Sequence, residues 1–183
     1  MDREQAWIEL RARVRNSNLV KHSLAVEAIM RKLASRLKGD AETWGIVGLL
    51  HDIDYERTVN EPEKHGLVGA EILENIGFDE EVIYAVRAHN PCHGIERKRK
   101  MDKTLYCADP VSGLITACAL VQPSKKLSDV TAASVLRKMD EKSFARGANR
   151  DQIRSCSELG LTLEEFIEIA LTAMKEISDQ LGL

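Results

Sequence analysis

Aromatic side chains are scarce in this chain, which has three Phe, three Tyr and two Trp among 183 residues. A surface that stacks unpaired bases needs more of them, so a dedicated single-strand nucleic-acid platform is not expected. Charge of one sign is also lacking: 26 Lys and Arg face 29 Asp and Glu, a net charge of −3. No global field advertises nucleic acid or an anionic membrane. The four cysteines, Cys92, Cys107, Cys118 and Cys156, include no C-x-x-C pair, and Met1–Leu10 is polar and acidic rather than signal-like. Free thiols and a cytoplasmic location are the expectation. The longest weakly polar run, Pro110–Val121, is broken by Ser112 and Thr116. It falls short of the roughly 20 apolar residues that a spanning helix requires. No internal repeat, low-complexity tract or sustained strand-period alternation is present.

What is present is helical periodicity. With 44% hydrophobic residues the chain has enough apolar mass for one domain over 1–183, and the fold class expected is all-α. A first helix is expected over about 3–14. Asn16, Ser17 and Asn18 offer caps for a second running to Leu37, which Gly39 stops. Leu19, His22, Val26, Met30, Leu33 and Leu37 fall at steps of three and four on this helix, so His22 belongs to its inward stripe. Asp40 caps a third helix carrying His51 and Asp52 at its C-terminal end, and residues 55–64 read as a polar loop.

His65 is expected to open a fourth helix with Val68, Ile72 and Ile76 on its inner face, ended by Gly77. Asp79, Glu80 and Glu81 start a fifth, with Val82, Val86 and His89 on one side. The next helix begins near Met101 and is expected to kink or restart at Pro110, because proline removes a backbone donor and crowds the preceding turn. Helices near 132–138, 150–159 and 163–181 complete the chain, the last entered through a Thr162–Glu165 capping box. This final third contains no histidine.

Four of the five histidines, His22, His51, His65 and His89, thus lie on apolar faces or helix ends, together with Asp52 and Asp109. A lone inward histidine is ordinarily a hydrogen-bonded core residue, but several beside two carboxylates call for a compensating partner, and a metal ion supplies one. In order, His22, the His51-Asp52 doublet, His65 in His-Gly-Leu-Val-Gly-Ala, His89 after Ala-Val-Arg-Ala, and Asp109 after Tyr-Cys-Ala resemble the HD superfamily of metal-dependent phosphohydrolases. The similarity is closest to the HDIG-type subgroup that keeps the extra histidines and binds two metals.

That resemblance implies an HD-domain helical bundle, with its metal-site core over about 18–115 and additional C-terminal helices over about 125–183. It implies that His22, His51, Asp52 and Asp109 hold one ion, and that Asp52 bridges to a second held by His65 and His89. One or two divalent transition-metal ions are expected, iron or manganese first, with zinc, cobalt and nickel also compatible with such ligands. The implied activity is hydrolysis of a phosphomonoester or phosphoanhydride, in a nucleotide or other small molecule, by a metal-activated water. Alternatives are a di-iron oxygenase of the same fold, or a non-catalytic nucleotide sensor with a homodimer interface on the last helices.

The chain departs from the two-metal pattern at Tyr55, where relatives of that subgroup carry lysine. Asp54 and Glu56 flank this position. Asp54, with Asp52, is the catalytic candidate, able in principle to carry a proton or to cap the loop. Arg57, Arg87 and Lys103 are the substrate-binding candidates, as phosphate-pairing cations close in sequence to the ligands. His93 reads as a loop histidine or as a supporting or substrate group near His89, and the run Arg97–Lys100 as a solvated helix start or a patch that steers an anionic substrate.

Overall fold

The computed structural model describes residues 1–141 and 143–183. Among them are eleven α-helices and no strand: α1 (Arg3–Arg13), α2 (Ser17–Leu37), α3 (Ala41–Leu50), α4 (Tyr55–Thr58), α5 (Leu67–Ile76), α6 (Glu80–His89), α7 (Lys100–Leu120), α8 (Ala132–Asp140), α9 (Arg150–Arg154), α10 (Leu163–Glu176) and α11 (Ser178–Leu181). The all-α expectation holds.

The bundle is built round α2, which packs against α3, α7 and α10. Val26, Ile29, Met30 and Leu33 of α2 have no exposed surface, and burying side chains of this size contributes about 1.5–3 kcal/mol each. The N-terminal end of α2 follows the sequence, with Asn16 Oδ1 accepting from the Asn18 amide at 2.9 Å; at the other end Lys38, rather than Gly39, takes the left-handed conformation, at φ 61°.

The approach of α3 to α2 is set by glycine. A Cβ on Gly48 would lie 2.8 Å from the Val26 carbonyl oxygen and 2.9 Å from the Glu27 nitrogen. Only a bare Cα lets the two backbones meet there, one turn before His51. Beside this contact Glu27, buried, accepts from Arg3 Nε at 2.7 Å and Arg31 Nε at 3.0 Å, tying α1 to α2.

Several elements differ from expectation. The polar loop over 55–64 contains the single-turn helix α4. His65 does not open the fourth helix; it lies in the turn before α5, which starts at Leu67. Gly66 stands between them at φ 85°, outside helical geometry. The buried residues of α5 are Gly69, Ala70 and Leu73, whereas Val68, Ile72 and Ile76 are half-buried. At Gly69 a side chain would be crowded, because Asp54 Cγ and Val86 Cγ1 stand 3.2 Å from where its Cβ would be.

Helix α7 runs from Lys100 to Leu120 without restarting at Pro110. The missing Pro110 amide costs the bond to the carbonyl one turn back, but packing against α2, α6 and α9 holds the helix. The expected helix over 150–159 is α9 followed by a 3₁₀ turn at Ser155–Leu159, and that over 163–181 breaks at Ile177 into α10 and α11. Thr162 Oγ1 caps α10 by accepting from the Glu165 amide at 3.1 Å, but the Glu165 carboxylate bonds Arg36 at 2.7 Å instead of closing a box. One buried apolar cluster runs from Ala6 in α1 to Leu181 in α11. No described helix is long and apolar enough to cross a membrane.

Candidate metal centre

Five elements each deliver part of one cluster. His22 comes from α2, His51 and Asp52 from the end of α3, His65 from the turn before α5, His89 from the end of α6 and Asp109 from α7. The six residues singled out in the sequence are brought together. His22 Nε2 lies 3.5 Å from Asp52 Oδ2 and 3.2 Å from Asp109 Oδ1. His51 Nε2 is 3.4 Å from Asp52 Oδ1 and 3.8 Å from Asp109 Oδ1. On the other side His65 Nε2 is 3.2 Å and His89 Nε2 3.7 Å from Asp52 Oδ1.

Each ring is held from behind through Nδ1. His51 donates to the Gly48 carbonyl at 2.9 Å and His89 to the Val86 carbonyl at 2.6 Å, both within their own helix turn. His65 donates to Asp54 Oδ1 at 2.9 Å. His22 Nδ1 stands 3.0 Å from Ser112 Oγ, whose own proton goes to the Asp109 carbonyl at 2.8 Å, so the serine oxygen accepts. These outer bonds assign the proton of all four imidazoles to Nδ1 and turn the Nε2 lone pairs inward.

This arrangement tests the donor set for a metal. His22 Nε2 and His51 Nε2 are 3.1 Å apart, as are His65 Nε2 and His89 Nε2 at 3.0 Å. Two inward lone pairs at that separation repel unless a cation or a proton stands between them. Imidazole nitrogen with carboxylate oxygen is a set that iron, manganese and zinc accept, and the outer partners are of the kind that orient metal-bound histidines. His22, His51 and Asp52 form one group able to hold an ion, and Asp52, His65 and His89 a second, with Asp52 common to both.

The electrostatics of the ion-free protein point the same way. Burial opposes the charge on Asp52, yet the His51 charge and the hydrogen bonds of His65 and His89 keep its carboxyl well below the usual range. Burial likewise opposes the charge on Asp109, but His22 and His51 hold it low. Burial pushes the His51 imidazole down, but Asp52 and Asp109 outweigh it and lift the group from 6.5 to about 9. His65, desolvated but facing both Asp52 and Asp54, rises to about 10. Carboxylates this rich in negative potential attract cations of any kind, protons included.

The other candidates are placed differently. Both oxygens of Asp54 are occupied: Oδ1 by His65, and Oδ2 by the amides of Gly66 and Gly69 at 2.8 Å each. The group is buried and its carboxyl is held low, since the His65 and backbone bonds overcome the burial that opposes its charge. Its carboxylate is engaged by His65 and by the two amides. Arg57 is exposed on a cavity it shares with Arg13, Ile53 and Asp54, which no residue of the cluster lines. Lys103 pairs with Glu158 at 3.3 Å. Arg87 lies two residues before His89 on α6, a spacing that puts the two side chains on different faces.

Two further side chains support the turn that carries His65. His93 is half-buried and donates from Nε2 to the His65 carbonyl at 2.7 Å, and Asn90 Nδ2 donates to the same oxygen at 3.0 Å. Together they fix the turn that carries His65. Tyr55 sets its ring edge against His65, with centroids 5.3 Å apart. The run Arg97–Lys100 is also not simply solvated: Arg97 lies over the Tyr106 ring at 3.7 Å from its centroid, and Lys98 and Arg99 lie beside Tyr84 at 5.5 and 5.7 Å.

The family model named HD domain matches residues 19–141, well over half the chain and the whole of the cluster. The chain belongs to the HD-domain family. An uncharacterized protein of Methanocaldococcus jannaschii is 40% identical over 79 residues, which is 40% of this chain and 46% of that protein. Ribonuclease Y of Sulfurovum sp. is 25% identical over 167 residues, covering 89% of this chain but 32% of the enzyme. Ribonuclease Y of Desulfotalea psychrophila is 29% identical over 137 residues, 73% of this chain and 26% of that protein. This HD domain therefore spans less than half the length of each of these relatives.

Proposed function

We propose that this HD domain is a cytoplasmic, metal-dependent phosphohydrolase that cleaves a phosphomonoester or phosphoanhydride of a nucleotide or other small molecule. The observation that carries the reading is the convergence of four outward-pinned imidazoles on the shared carboxylate of Asp52, flanked by Asp109. His22, His51, Asp52 and Asp109 would hold one divalent ion, and Asp52, His65 and His89 a second, with iron or manganese the leading candidates. Such ions, when bound, polarise a phosphoryl oxygen and bring the pKa of water toward neutrality.

The chain's own contribution is positioning. Gly48, Val86, Asp54 and Ser112 keep the four Nδ1 protons outward, so no donor ring must turn when substrate arrives. Pre-set donors of this kind cost no reorganisation during the reaction. The test is phosphate release from a panel of nucleotides and phosphate esters by protein loaded with each metal, beside an Asp52→Asn control. Release that is metal-dependent and absent in the control supports the reading, and no release from any substrate with any metal sinks it.

A second substrate class is favoured by a separate observation. The basic arm at Arg97–Lys100 lies against Tyr84 and Tyr106, and Tyr106 is one turn before Asp109 on α7. Cations fixed in this way suit the phosphate backbone of an RNA strand, and the similarity to ribonuclease Y points to the same class. Cleavage of an unstructured oligoribonucleotide, with none of the small phosphate compounds turned over, would select this class over the first.

A further inference from the structure

The loop between α8 and α9 returns to the metal cluster. Its residues Ala145 to Ala148 form one wall of a cavity of about 310 Å³, His22 and Asp109 form the other, and Gly113 of α7 lies between. Arg146 of this loop is exposed and is one of the residues lining the cavity. Among the described residues, three cations nearby in the chain are engaged: Lys138 with Glu141 at 2.7 Å, Arg154 with Asp140 at 3.3 Å, and Arg150 with backbone carbonyls. Arg146 has no ion pair among the described residues.

The loop is held in shape rather than left to drift. Arg150 donates to the carbonyls of Phe144 at 2.6 Å, Ala145 at 2.9 Å and Ala148 at 2.6 Å, and also reaches Lys138 at 3.1 Å. Ala145 sits at φ 45°, a left-handed conformation that a residue with a side chain adopts only where its surroundings impose it. A loop held this way, whose arginine has no ion pair among the described residues and lines a cavity shared with two ligand-type residues, is suited to receive an anion.

Gly113 supplies the space. It lies mid-helix, where alanine would favour the helix more, and a Cβ added to it would meet no atom within 4 Å. It is exposed and lines the cavity, and no neighbouring helix packs on it.

We propose that Arg146 is the residue that grips the phosphate oxygens of the substrate, across the Gly113 floor from His22 and Asp109, with Arg150 as the positioning residue for its loop. The proposal rests on the phosphohydrolase reading above and adds the anion-binding wall to it. The planar guanidinium matches two phosphate oxygens at once, which a lysine ammonium does not. The histidine-free C-terminal third then completes the site instead of only supporting it.

The test uses the full chain loaded with metal and titrated calorimetrically with inorganic phosphate, in wild type, Arg146→Ala, Arg146→Lys and Gly113→Val, with metal content and melting temperature measured for each. Phosphate affinity should fall roughly tenfold or more in Arg146→Ala, recover in part in Arg146→Lys, and fall in Gly113→Val through filled space. Metal content and melting temperature should match wild type in the arginine variants. Equal phosphate affinity in wild type and Arg146→Ala overturns the role of Arg146 alone, as does loss of metal in that variant. Unchanged affinity in Gly113→Val overturns the cavity as the phosphate site. Failure of metal-loaded wild type to bind phosphate at all overturns the phosphohydrolase reading and this one with it.

Discussion

Asp54 Oδ1 stands 2.9 Å from His65 Nδ1 while its Oδ2 accepts from the amides of Gly66 and Gly69 at 2.8 Å. A buried carboxylate thus ties the end of α3 to the turn before α5 and aims one imidazole at Asp52. The bond matters because His65 lies in the turn before α5, whereas His22 and His89 are carried within helices and His51 directly caps one. Its neighbours in the chain do not fix its direction.

Replacing Asp54 therefore acts on metal before it acts on chemistry. Asp54→Ala should weaken the ion held by His65 and His89 by about 10- to 100-fold and leave the ion at His22 and His51 bound. Leaving the two amides without an acceptor should also cost about 1–3 kcal/mol of stability. Equilibrium metal titration and urea denaturation read the two effects separately. Retention of both ions at wild-type affinity would remove the positioning role.

Gly48 is the second lever. A methyl group there meets the Val26 carbonyl oxygen at 2.8 Å, and backbone cannot rotate away. Gly48→Ala should destabilise the protein by about 1–3 kcal/mol and widen the spacing of His22 and His51, lowering metal content too. Gly77→Ala forms no such clash but forces a side chain onto φ 90°, so it should lower stability while leaving metal content intact. Denaturation midpoints and metal analysis of the pair distinguish close approach from backbone conformation.

Stability should depend on pH in opposite ways with and without metal. In the metal-free protein His51 is raised from 6.5 to about 9 and His65 to about 10. Groups with raised folded pKa values stabilise fully below their unfolded value, so this contribution is present below about 6.5 and is lost as pH climbs through 9 to 10. The lowered Asp52 and Asp109 act oppositely: their contribution is present above the usual carboxylate range and is lost on acidification. The melting temperature of chelated protein should therefore fall between pH 7 and pH 10. Metal must displace the His51 and His65 protons, so binding near neutrality should release protons and tighten as pH rises. Calorimetry in buffers of different ionisation enthalpy counts those protons, and a count of zero contradicts the assignment.

His93 offers a finer check on the same turn. His93→Phe removes the donor to the His65 carbonyl but leaves Asn90 in place. A loss of about 0.5–1.5 kcal/mol, with metal loss smaller than in Asp54→Ala, is expected from thermal denaturation and metal titration. No change in either would return His93 to an ordinary loop residue.

The ligand-type residues were legible in sequence because each combines a recognisable side chain with a periodic or terminal place on a helix. His22 falls on the stripe of Val26, Met30 and Leu33, and His89 on that of Val82 and Val86. What holds them was less so, since the carbonyls of Gly48 and Val86 carry no residue signature. Arg146 was hidden for a different reason: it is far along the chain from His22 and Asp109, and only the fold of the α8–α9 loop brings it to them. His65 was misplaced because helical spacing from Val68 onward runs back through Gly66, whose φ of 85° breaks the pattern without changing the count. The restart expected at Pro110 does not occur because the lost bond is one among many contacts along α7.

The central claim is that Asp52 is shared by two metal groups. Elemental analysis of protein purified without chelator or added metal, for wild type and Asp52→Asn at equal concentration, tests it most directly. The account predicts about two transition-metal ions per chain in wild type, consistent with two adjacent ligand groups, and loss of both together in Asp52→Asn while the fold persists by circular dichroism. Near-zero metal in folded wild type, or full metal retained in Asp52→Asn, would contradict it.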